Sequence, residues 1–544
     1  MTSEEYIRQE LSRFLRKHQI EDIDIILEKP KDEKFGDYAS NLAMQLARHL
    51  RKNPRQIAEE IKAYITLNDA FITKIEIAGP GFINFFASTL NLNTQLKTIR
   101  DSGEEYGRSS KGQGQTVQIE FVSANPTGPL TVGHGRAAVL GDTIARLYEA
   151  IGYRVTREYY FNNAGRQMRI LGQSVQLRYL QRLGKTINFP EDHYQGEYIN
   201  DIARLLYDKY GEQLQDETDL QIFKEFAEKE IFKNIKQTVK RLGFAFDVFF
   251  NEHTLYEQKK IEDVLNGLRE KQLLEDREGA SWFLTSKLGF ESDRVFVKSS
   301  GEPTYRLPDT AYHIDKVKRG FDLMIDIFGA DHIDTYPDVL AAVKALEYDV
   351  SKFKVLIHQF VTLTEGGETI KMSTRKANFV TLDQLLDDIG SDVTRYFFLM
   401  RNMNAHLNFD LQLARKHSDE NPVYYIQYAH ARINSILKLA QSKQVYLKND
   451  ADLNVLVRDE ERNLIKHLIE FPSVIEDSAC KFEPHRLINY LFDTATLFHK
   501  FYTECRVISE DEPLTQGRLL LIDACRIVFR NGLHTLGISA PEQM

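Results

Sequence analysis

Val117, Ile119 and Phe121 alternate with Gln118 and Glu120, a two-residue period that predicts a short strand over 117–122. The Gly/Pro-rich stretch from Asn125 to Pro129 predicts a turn. From about Gly133 the period lengthens, and Ala137, Leu140, Ile144 and Leu147 recur at helical spacing. Upstream, the pattern predicts an amphipathic helix from about Glu4 to Lys17, a second around Asn41 to Leu50, and strands flanking Gly79-Pro80-Gly81. Downstream it predicts a strand from Val355 to Leu363, a turn at Gly366-Gly367 and an amphipathic helix from Leu382 to Ile389. After Asn421-Pro422 the chain reads as helical, with Leu487, Leu491, Phe498 and Phe501 on one face and Leu519, Ile522, Ile527 and Leu533 on another helix.

These elements group into three units. Residues 1 to about 110 read as a small α+β unit that ends in the Gly/Ser/Lys-rich linker Gly107 to Gly114. An α/β unit of Rossmann-like character follows, 111–415, interrupted by a largely helical insertion from about Arg166 to Arg277. A helical bundle occupies 416–544, and its periodicity alone fits a dimerisation or packing module as well as a binding one. A chain of 544 residues has ample length for large cores.

Charge and cysteine usage narrow the class. Lys+Arg 70 against Asp+Glu 79 gives −9, so nucleic acid would have to be held by local basic patches. One candidate patch is Arg48, Arg51, Lys52 and Arg55, which stand in sequence without a neighbouring acid. Cys480, Cys505 and Cys525 lie far apart without C-x-x-C spacing, which argues against a zinc knuckle or a disulfide framework and fits a reducing cytosol. Glu4, Glu5 and Glu10 are unlike a transit peptide, and no apolar run is long enough to cross a bilayer. The expectation is a cytoplasmic protein without a membrane partner.

Two segments carry candidate chemistry. In Ser123-Ala-Asn-Pro-Thr-Gly-Pro-Leu-Thr-Val-Gly-His-Gly-Arg136, a strand, a tight turn and a helix place free N–H groups at the carboxyl edge of a sheet. That geometry suits a polyphosphate. Gly133 and Gly135 allow close approach of backbone, and His134 can donate to a phosphate oxygen in a transition state. A structural βα turn with an incidental histidine fits the same residues. In Ile370-Lys-Met-Ser-Thr-Arg375, two cations on a polar segment can neutralise a pyrophosphate leaving group. A solvated basic loop fits equally well.

Taken together and in this order, the segments resemble the two signatures of class I aminoacyl-tRNA synthetases, here Thr131-Val-Gly-His134 and Lys371-Met-Ser-Thr-Arg375. Further stretches resemble the bacterial-type arginyl-tRNA synthetases along almost the whole chain: Phe35 to Met44, Ala78 to Asn84, Glu158 to Gly165, Gly329-Ala-Asp-His332, Asn421 to Arg432 and Leu536 to Pro541. Three positions depart from the family pattern: Thr131 replaces the first signature histidine, Thr374 the second lysine, and Ala377 a common glycine. The small-molecule adenylyltransferases share the histidine-containing turn, and a silent tRNA-binding paralogue would share the whole outline.

The resemblance implies a class I catalytic domain with a helical insertion, an N-terminal tRNA-contacting α+β domain and a C-terminal all-α anticodon-binding bundle. It implies ATP and L-arginine as substrates, magnesium on the phosphates without a tight protein metal site, tRNA(Arg) as partner, and a monomer. His134, Lys371, Ser373 and Arg375 would act in catalysis. ATP would lie on Thr131, Gly133, His134, Gly135, Asp331, His332, Lys371, Met372, Ser373 and Thr374. A guanidinium needs carboxylates in fork geometry and gains from an aromatic face. By resemblance Glu120, Tyr305 and Asp309 surround it, with Ser123 nearby and Asn125 at the α-amino end. Without that resemblance, Asp309 reads as a helix N-cap and Tyr305 as a core aromatic. Arg48, Arg51, Lys52, Arg55, Tyr424, Tyr428 and Arg432 would contact tRNA.

Overall fold

The strand that the alternation predicts is present as β1, Thr116–Glu120, and the helix after it as α1, Val132–Ala150. The computed structural model describes residues 1–30, 32–370, 380–448 and 450–544. Strand β2 (Arg154–Phe161) follows, then helices α2 (Gly165–Arg182), α3 (Glu197–Tyr210) and α4 (Gln221–Arg241), then β3 (Val248–Asn251). Helix α5 (Arg306–Lys318) leads into β4 (Leu323–Gly329) and β5 (Phe353–His358). These five strands are all parallel, in the order β5-β4-β1-β2-β3. The chain winds outward from β1 through β2 to β3 and then returns to the other side of β1. The crevice at the carboxyl ends of β1 and β4 is therefore the topological switch point, where open α/β sheets take ligands.

Residues 166–277 are mostly helix, and they also hold β3, which pairs with β2, and Leu274–Arg277, which begins a separate antiparallel sheet with Ala280–Phe283 and Arg294–Val297. Two expectations need correction. The strand expected from Val355 to Leu363 is two strands in different sheets, β5 and Val361–Glu365. The break falls at Gln359, whose carbonyl accepts from the Arg136 guanidinium (2.6 Å) and whose N–H donates to Met403 O (2.9 Å). The Gly107–Gly114 stretch is packed rather than free, since a Cβ on Gly107 would meet Phe471 at 2.3 Å and one on Gly112 would meet Tyr153 at 2.3 Å.

The helices Ser3–Lys17, Leu42–Leu50 and Pro54–Tyr64 cover a four-stranded antiparallel sheet whose strands Ile72–Ala78 and Phe82–Ala87 flank Gly79–Gly81 as expected. This unit has its own core around Ile7, Leu11, Leu46, Ile61 and Phe85. The next helix, Thr89–Ser102, instead sends Leu92, Leu96 and Ile99 into the large core shared by the parallel sheet and the C-terminal helices. After Gly366 and Gly367, both at positive φ as a tight hairpin turn requires, helix α6 spans Leu382–Leu399 with Gly390 at φ +77° interrupting it. The bundle contains α7 (Pro422–Ser442), α8 (His485–Glu504) and α9 (Glu512–Thr535).

One buried ion cluster bolts the sheet to the bundle. Asp142 on α1 pairs with Arg395 (2.7 Å), Arg146 (2.7 Å) and Arg157 (3.3 Å). Arg395 also donates to the carbonyls of Leu242 (2.8 Å) and Leu536 (2.7 Å). A Cβ on Gly537 would lie 2.4 Å from the Arg395 Cζ, so only glycine fits against the guanidinium. Removing Arg395 takes one of three partners from buried Asp142 and leaves two carbonyls without their donor, at a cost of up to about 3–5 kcal/mol. Arg395→Met should therefore lower the urea midpoint followed by far-UV circular dichroism. Lys438→Met, which breaks an exposed pair with Glu542, should leave that midpoint almost unchanged, because stability shifts by less than about 0.5 kcal/mol.

Candidate active site

β1 ends at Glu120, and the chain then turns with two consecutive residues at positive φ, Val122 (+70°) and Ser123 (+43°). Left-handed conformation is costly for a β-branched residue, on the order of 1–3 kcal/mol. The turn is held in place by side chains from elsewhere. Tyr159 OH donates to Ala124 O (2.7 Å), Tyr198 OH to Thr127 O (2.8 Å), and the Asn162 N–H to Asn125 Oδ1 (3.0 Å). Ser123 Oγ donates to Glu120 (2.9 Å) and accepts from the Tyr160 N–H (3.2 Å).

The turn delivers the chain to the N-terminus of α1, with Thr131 at the N-cap. The Thr131 N–H donates to His134 Nδ1 (3.1 Å). That bond makes Nδ1 an acceptor and leaves the proton of the neutral ring on Nε2. Burial, opposed by the nearby Asp331 carboxylate, moves the His134 pKa below its ordinary value, so at neutral pH the ring is an uncharged Nε2–H donor. Thr131 thus works through its neighbour: its N–H sets the tautomer, and its Oγ1 lies 3.2 Å from the same nitrogen. Gly133 leaves open space in front of the helix, whereas Gly135 serves packing, since a Cβ there would lie 2.8 Å from Leu382 and 3.0 Å from Phe398. Thr131 also forms a β-bridge with Thr381, and the Leu382 N–H donates to Leu130 O (2.8 Å). The chain leaving the second signature is thereby anchored on the first. Lys371, Met372, Ser373, Thr374, Arg375 and Ala377 lie outside the described residues.

Asp331 and His332 are exposed in the short turn after β4, with the His332 ring stacked on Phe328. Sequence reasoning missed His358, at the end of β5, which lies close enough to His134 and Asp331 to interact with both; burial pushes it down to about 4. Only its place at a strand end in the switch-point crevice could have flagged it.

The other half of the crevice is a row of acids. Asp326 on β4, Glu120 on β1 and Glu158 on β2 are direct register neighbours on one buried face of the sheet. Helix α5 lies over that face and supplies the counter-charges. Lys316, fully buried, donates to Glu120 (2.5 Å) and Asp326 (2.5 Å), and Arg319 and the Tyr312 hydroxyl bind Glu158. His313 faces Asp326 through Nε2 (3.2 Å) and the Asp309 carbonyl through Nδ1 (2.7 Å). Burial would raise the Asp326 pKa, but Lys316 and His313 together hold it below the ordinary carboxylate range.

This arrangement alters the expected guanidinium pocket. Glu120 is 3% exposed, with both oxygens engaged by Ser123 and Lys316, so it supports the pocket from behind. Asp309 is not an N-cap, because α5 begins at Arg306 and Asp309 lies in its first turn. Its half-buried carboxylate accepts no hydrogen bond among the described residues, and burial, reinforced by Glu120 and Glu252 and opposed by His313 and Lys316, pushes it up to about 7. Tyr305 is 81% exposed and so is not a core aromatic. Glu252, just after β3, is a pocket acid that sequence reasoning missed because it sits in what reads as the insertion. It accepts from Tyr160 OH (2.6 Å) and Asn162 Nδ2 (2.7 Å), and burial, against these hydrogen bonds, raises its pKa.

Comparison with known proteins bears on this site. Residues 95–435 match the family described as tRNA synthetases class I (R), catalytic domain. Residues 2–87 match the arginyl tRNA synthetase N terminal domain, and 426–544 the DALR anticodon binding domain. The chain belongs to the arginyl-tRNA synthetase family. It is 50% identical over 532 residues to a protein of Pelodictyon phaeoclathratiforme named arginine–tRNA ligase, covering 96% of each chain. It is 51% identical over 520 residues to the Desulfotalea psychrophila protein of that name, covering 95% of this chain and 94% of the other. The fold is similar to that of Thermus thermophilus arginyl-tRNA synthetase, with TM-score 0.78 at 22% identity over 99% of both chains. No helix among the described residues is long and apolar enough to cross a membrane.

The geometry at His134 carries a direct test. In a spectrum of ¹⁵N-labelled imidazoles, His134 should be neutral at pH 7 with its hydrogen on Nε2, and should gain charge only below the ordinary histidine range. A hydrogen on Nδ1 at that pH would remove Thr131 as the group that sets the tautomer.

Proposed function

We propose that the switch-point crevice activates L-arginine with ATP and then passes it to tRNA(Arg), and that His134 and Asp309 mark its two ends. The observation that carries this reading is a neutral donor histidine at a helix N-terminus, opposite a half-buried carboxylate that accepts no hydrogen bond among the described residues. An oxygen of the arginine carboxylate attacks the α-phosphorus of ATP, and the bond to the β-phosphate oxygen breaks with release of pyrophosphate. His134 Nε2–H and the first N–H groups of α1 face the charge that develops on phosphate, and Lys371 and Arg375, with Ser373, attend the leaving group. A hydroxyl of the terminal ribose of tRNA then attacks the mixed anhydride and AMP leaves. No covalent enzyme intermediate is needed, so positioning and charge stabilisation supply the rate.

Asp309 receives the guanidinium, Glu252, whose two oxygens are held by Tyr160 and Asn162, stands beside it, and Asn125, whose Oδ1 keeps a lone pair, takes the α-ammonium. Tyr305 lies one turn before Asp309 on the same helix face, beside the path of the substrate side chain. Magnesium enters on ATP, with phosphate and water supplying its shell. Asp331 and His332 lie on the ATP side.

Residues 1–110 and 416–544 are the tRNA-contacting units of this reading and 111–415 the catalytic one, in a cytoplasmic monomer. On the bundle, Tyr428 stacks near His499 (6.0 Å), and the Arg432 guanidinium lies over Tyr428 (5.1 Å) and Tyr502 (5.6 Å). Such a platform suits an unpaired base. Tyr424 is tied to His417 (2.6 Å) at the helix start. In the N-terminal patch Arg48, Arg51 and Arg55 are exposed, but Lys52 is paired with Glu60 (2.7 Å), contrary to the expectation of a patch without an acid.

The deciding experiment is ATP–pyrophosphate exchange with arginine, with and without tRNA. Exchange that depends on arginine supports the reading; exchange with another carboxylic or nucleotide substrate, or none, overturns it. Asp309→Asn should raise the arginine KM at least about a hundredfold with the ATP KM unchanged, as loss of one partner of a desolvated pair costs roughly 3–5 kcal/mol. In the wild type, protonated Asp309 cannot pair with a guanidinium. The arginine KM should therefore rise as pH falls through about 7, and stay flat above it. For tRNA, Arg51→Glu/Arg55→Glu should reduce the salt slope of affinity by nearly one unit for each phosphate that the protein no longer neutralises; an unchanged slope would make the patch a solvated helix face.

A further inference from the structure

We propose that Lys316 is a positioning residue of the arginine site: buried behind the pocket, it closes Glu120 and Asp326 into an internal ion cluster and leaves Asp309 as the carboxylate open to the substrate cation. This rests on the reading of Asp309 as the guanidinium receptor and adds a residue that touches no substrate.

The sheet itself creates the need. Neighbouring parallel strands lie about 4.8 Å apart, and Glu120 and Asp326 are register partners on the same face, with Glu158 next in line. All three are buried and none has access to bulk water. Lys316 has three donor directions, and the structure uses each of them: one on Glu120, one on Asp326 and one toward the Tyr312 ring, 4.3 Å from the centroid. Glu158 has its own partners in Arg319 and Tyr312 OH, and Arg319 reaches on to Asp315 (3.1 Å). With His313 Nε2 beside Asp326 (3.2 Å), each of the three acids has partners from α5 or the residue that ends it, and the row is closed.

Asp309 and Lys316 are seven residues apart on α5, two turns along one face with His313 between them. The groups that act on Asp309 are Glu120 from β1, Glu252 from the segment after β3, and His313 and Lys316 from its own helix. Tyr160 on β2 feels Asp309, Glu252 and Glu120 in turn. Only the two α5 groups are cationic. Removing Lys316 leaves Glu120 without a counter-ion beside Asp309, so the pocket takes up protons at higher pH and loses the carboxylate that arginine needs.

The test is the pH profile of the arginine KM in ATP–pyrophosphate exchange. Lys316→Met should move the limb on which KM rises to higher pH by about one unit, so that KM at pH 7 worsens about fivefold more than at pH 9. Lys316→Arg keeps the charge, and the double variant Glu120→Gln/Lys316→Met removes both charges of the pair; each should keep the wild-type limb. A folded Lys316→Met protein with KM raised equally at all pH values overturns the proposal, because a purely structural role acts that way. Should Lys316→Met not fold, the two charge-balanced variants decide: wild-type limbs in both support the proposal, and a limb displaced by about a unit in either overturns it. Asp309→Asn separates the two levels of inference, since an unchanged arginine KM there refutes the pocket itself whatever Lys316 does.

Discussion

Three carboxylates abreast on the buried face of a parallel sheet, Asp326, Glu120 and Glu158, set the terms for the rest of the site. Unit charges about 5 Å apart repel by about 3 kcal/mol at an effective dielectric constant of 20, and the row contains two such neighbouring pairs. The fold answers with one helix that reverses the usual pattern. On α5 the stripe Asp309, Tyr312, His313, Lys316 and Arg319 faces the acids, while Leu307, Ala311 and Ile314 pack into the separate core under the small antiparallel sheet. Buried ion clusters add little net stability relative to an apolar core, because desolvation offsets the Coulomb gain. What they fix is register. A helix held at three points over three strands cannot slide by a turn without stranding charges, and the position of Asp309 in the crevice follows from that constraint.

At the other end of the crevice the constraint is backbone geometry. Val122 and Ser123 are left-handed, and the hydroxyls of Tyr159 and Tyr198 close the turn after them from opposite sides, one from the sheet and one from a crossover helix. The turn ends on Thr131, which caps α1, sets the His134 tautomer and bridges to Thr381. One residue thus joins the strained turn, the donor histidine and the chain that leaves the second signature. Replacement of the signature histidine by threonine leaves this linkage whole, since the bond to His134 and the bridge to Thr381 are made by backbone and need no particular side chain.

What could be read in advance follows the range of the interaction. Local periodicity gave β1, α1, the N-terminal helices and the Gly366-Gly367 turn, because each depends on residues within a few positions. The strand β3 was hidden: four residues, Val248–Asn251, between helices carry too short an alternation, and only pairing with β2 makes them a strand. The split of 353–365 was hidden for a similar reason, since it is imposed by Arg136, more than 200 positions earlier in the chain. In the site, Glu120 and Asp309 were legible as acids near strand and helix ends. That Glu120 is closed by Lys316 while the Asp309 carboxylate accepts no hydrogen bond among the described residues was not, because nothing in the spacing of 120, 309 and 316 encodes that contact.

The ion cluster around Asp142 extends the same logic to the whole chain. Its partners come from α1, β2 and α6, and through Arg395 it holds the carbonyls of Leu242 at the end of the crossover helices and Leu536 at the end of the bundle. The bundle is fastened further by Ser539, bound to Asp392, and by His430 at the Pro541 carbonyl (2.8 Å). The helix that carries His134 at its front therefore carries at its middle the charge to which the C-terminal segment is anchored. Displacing the bundle relative to α1 requires either opening a buried pair or moving α1 with it. Since α1 is packed along most of its length, the second course would shift His134 against the strand ends, so the position of the bundle and the geometry of the crevice are not independent.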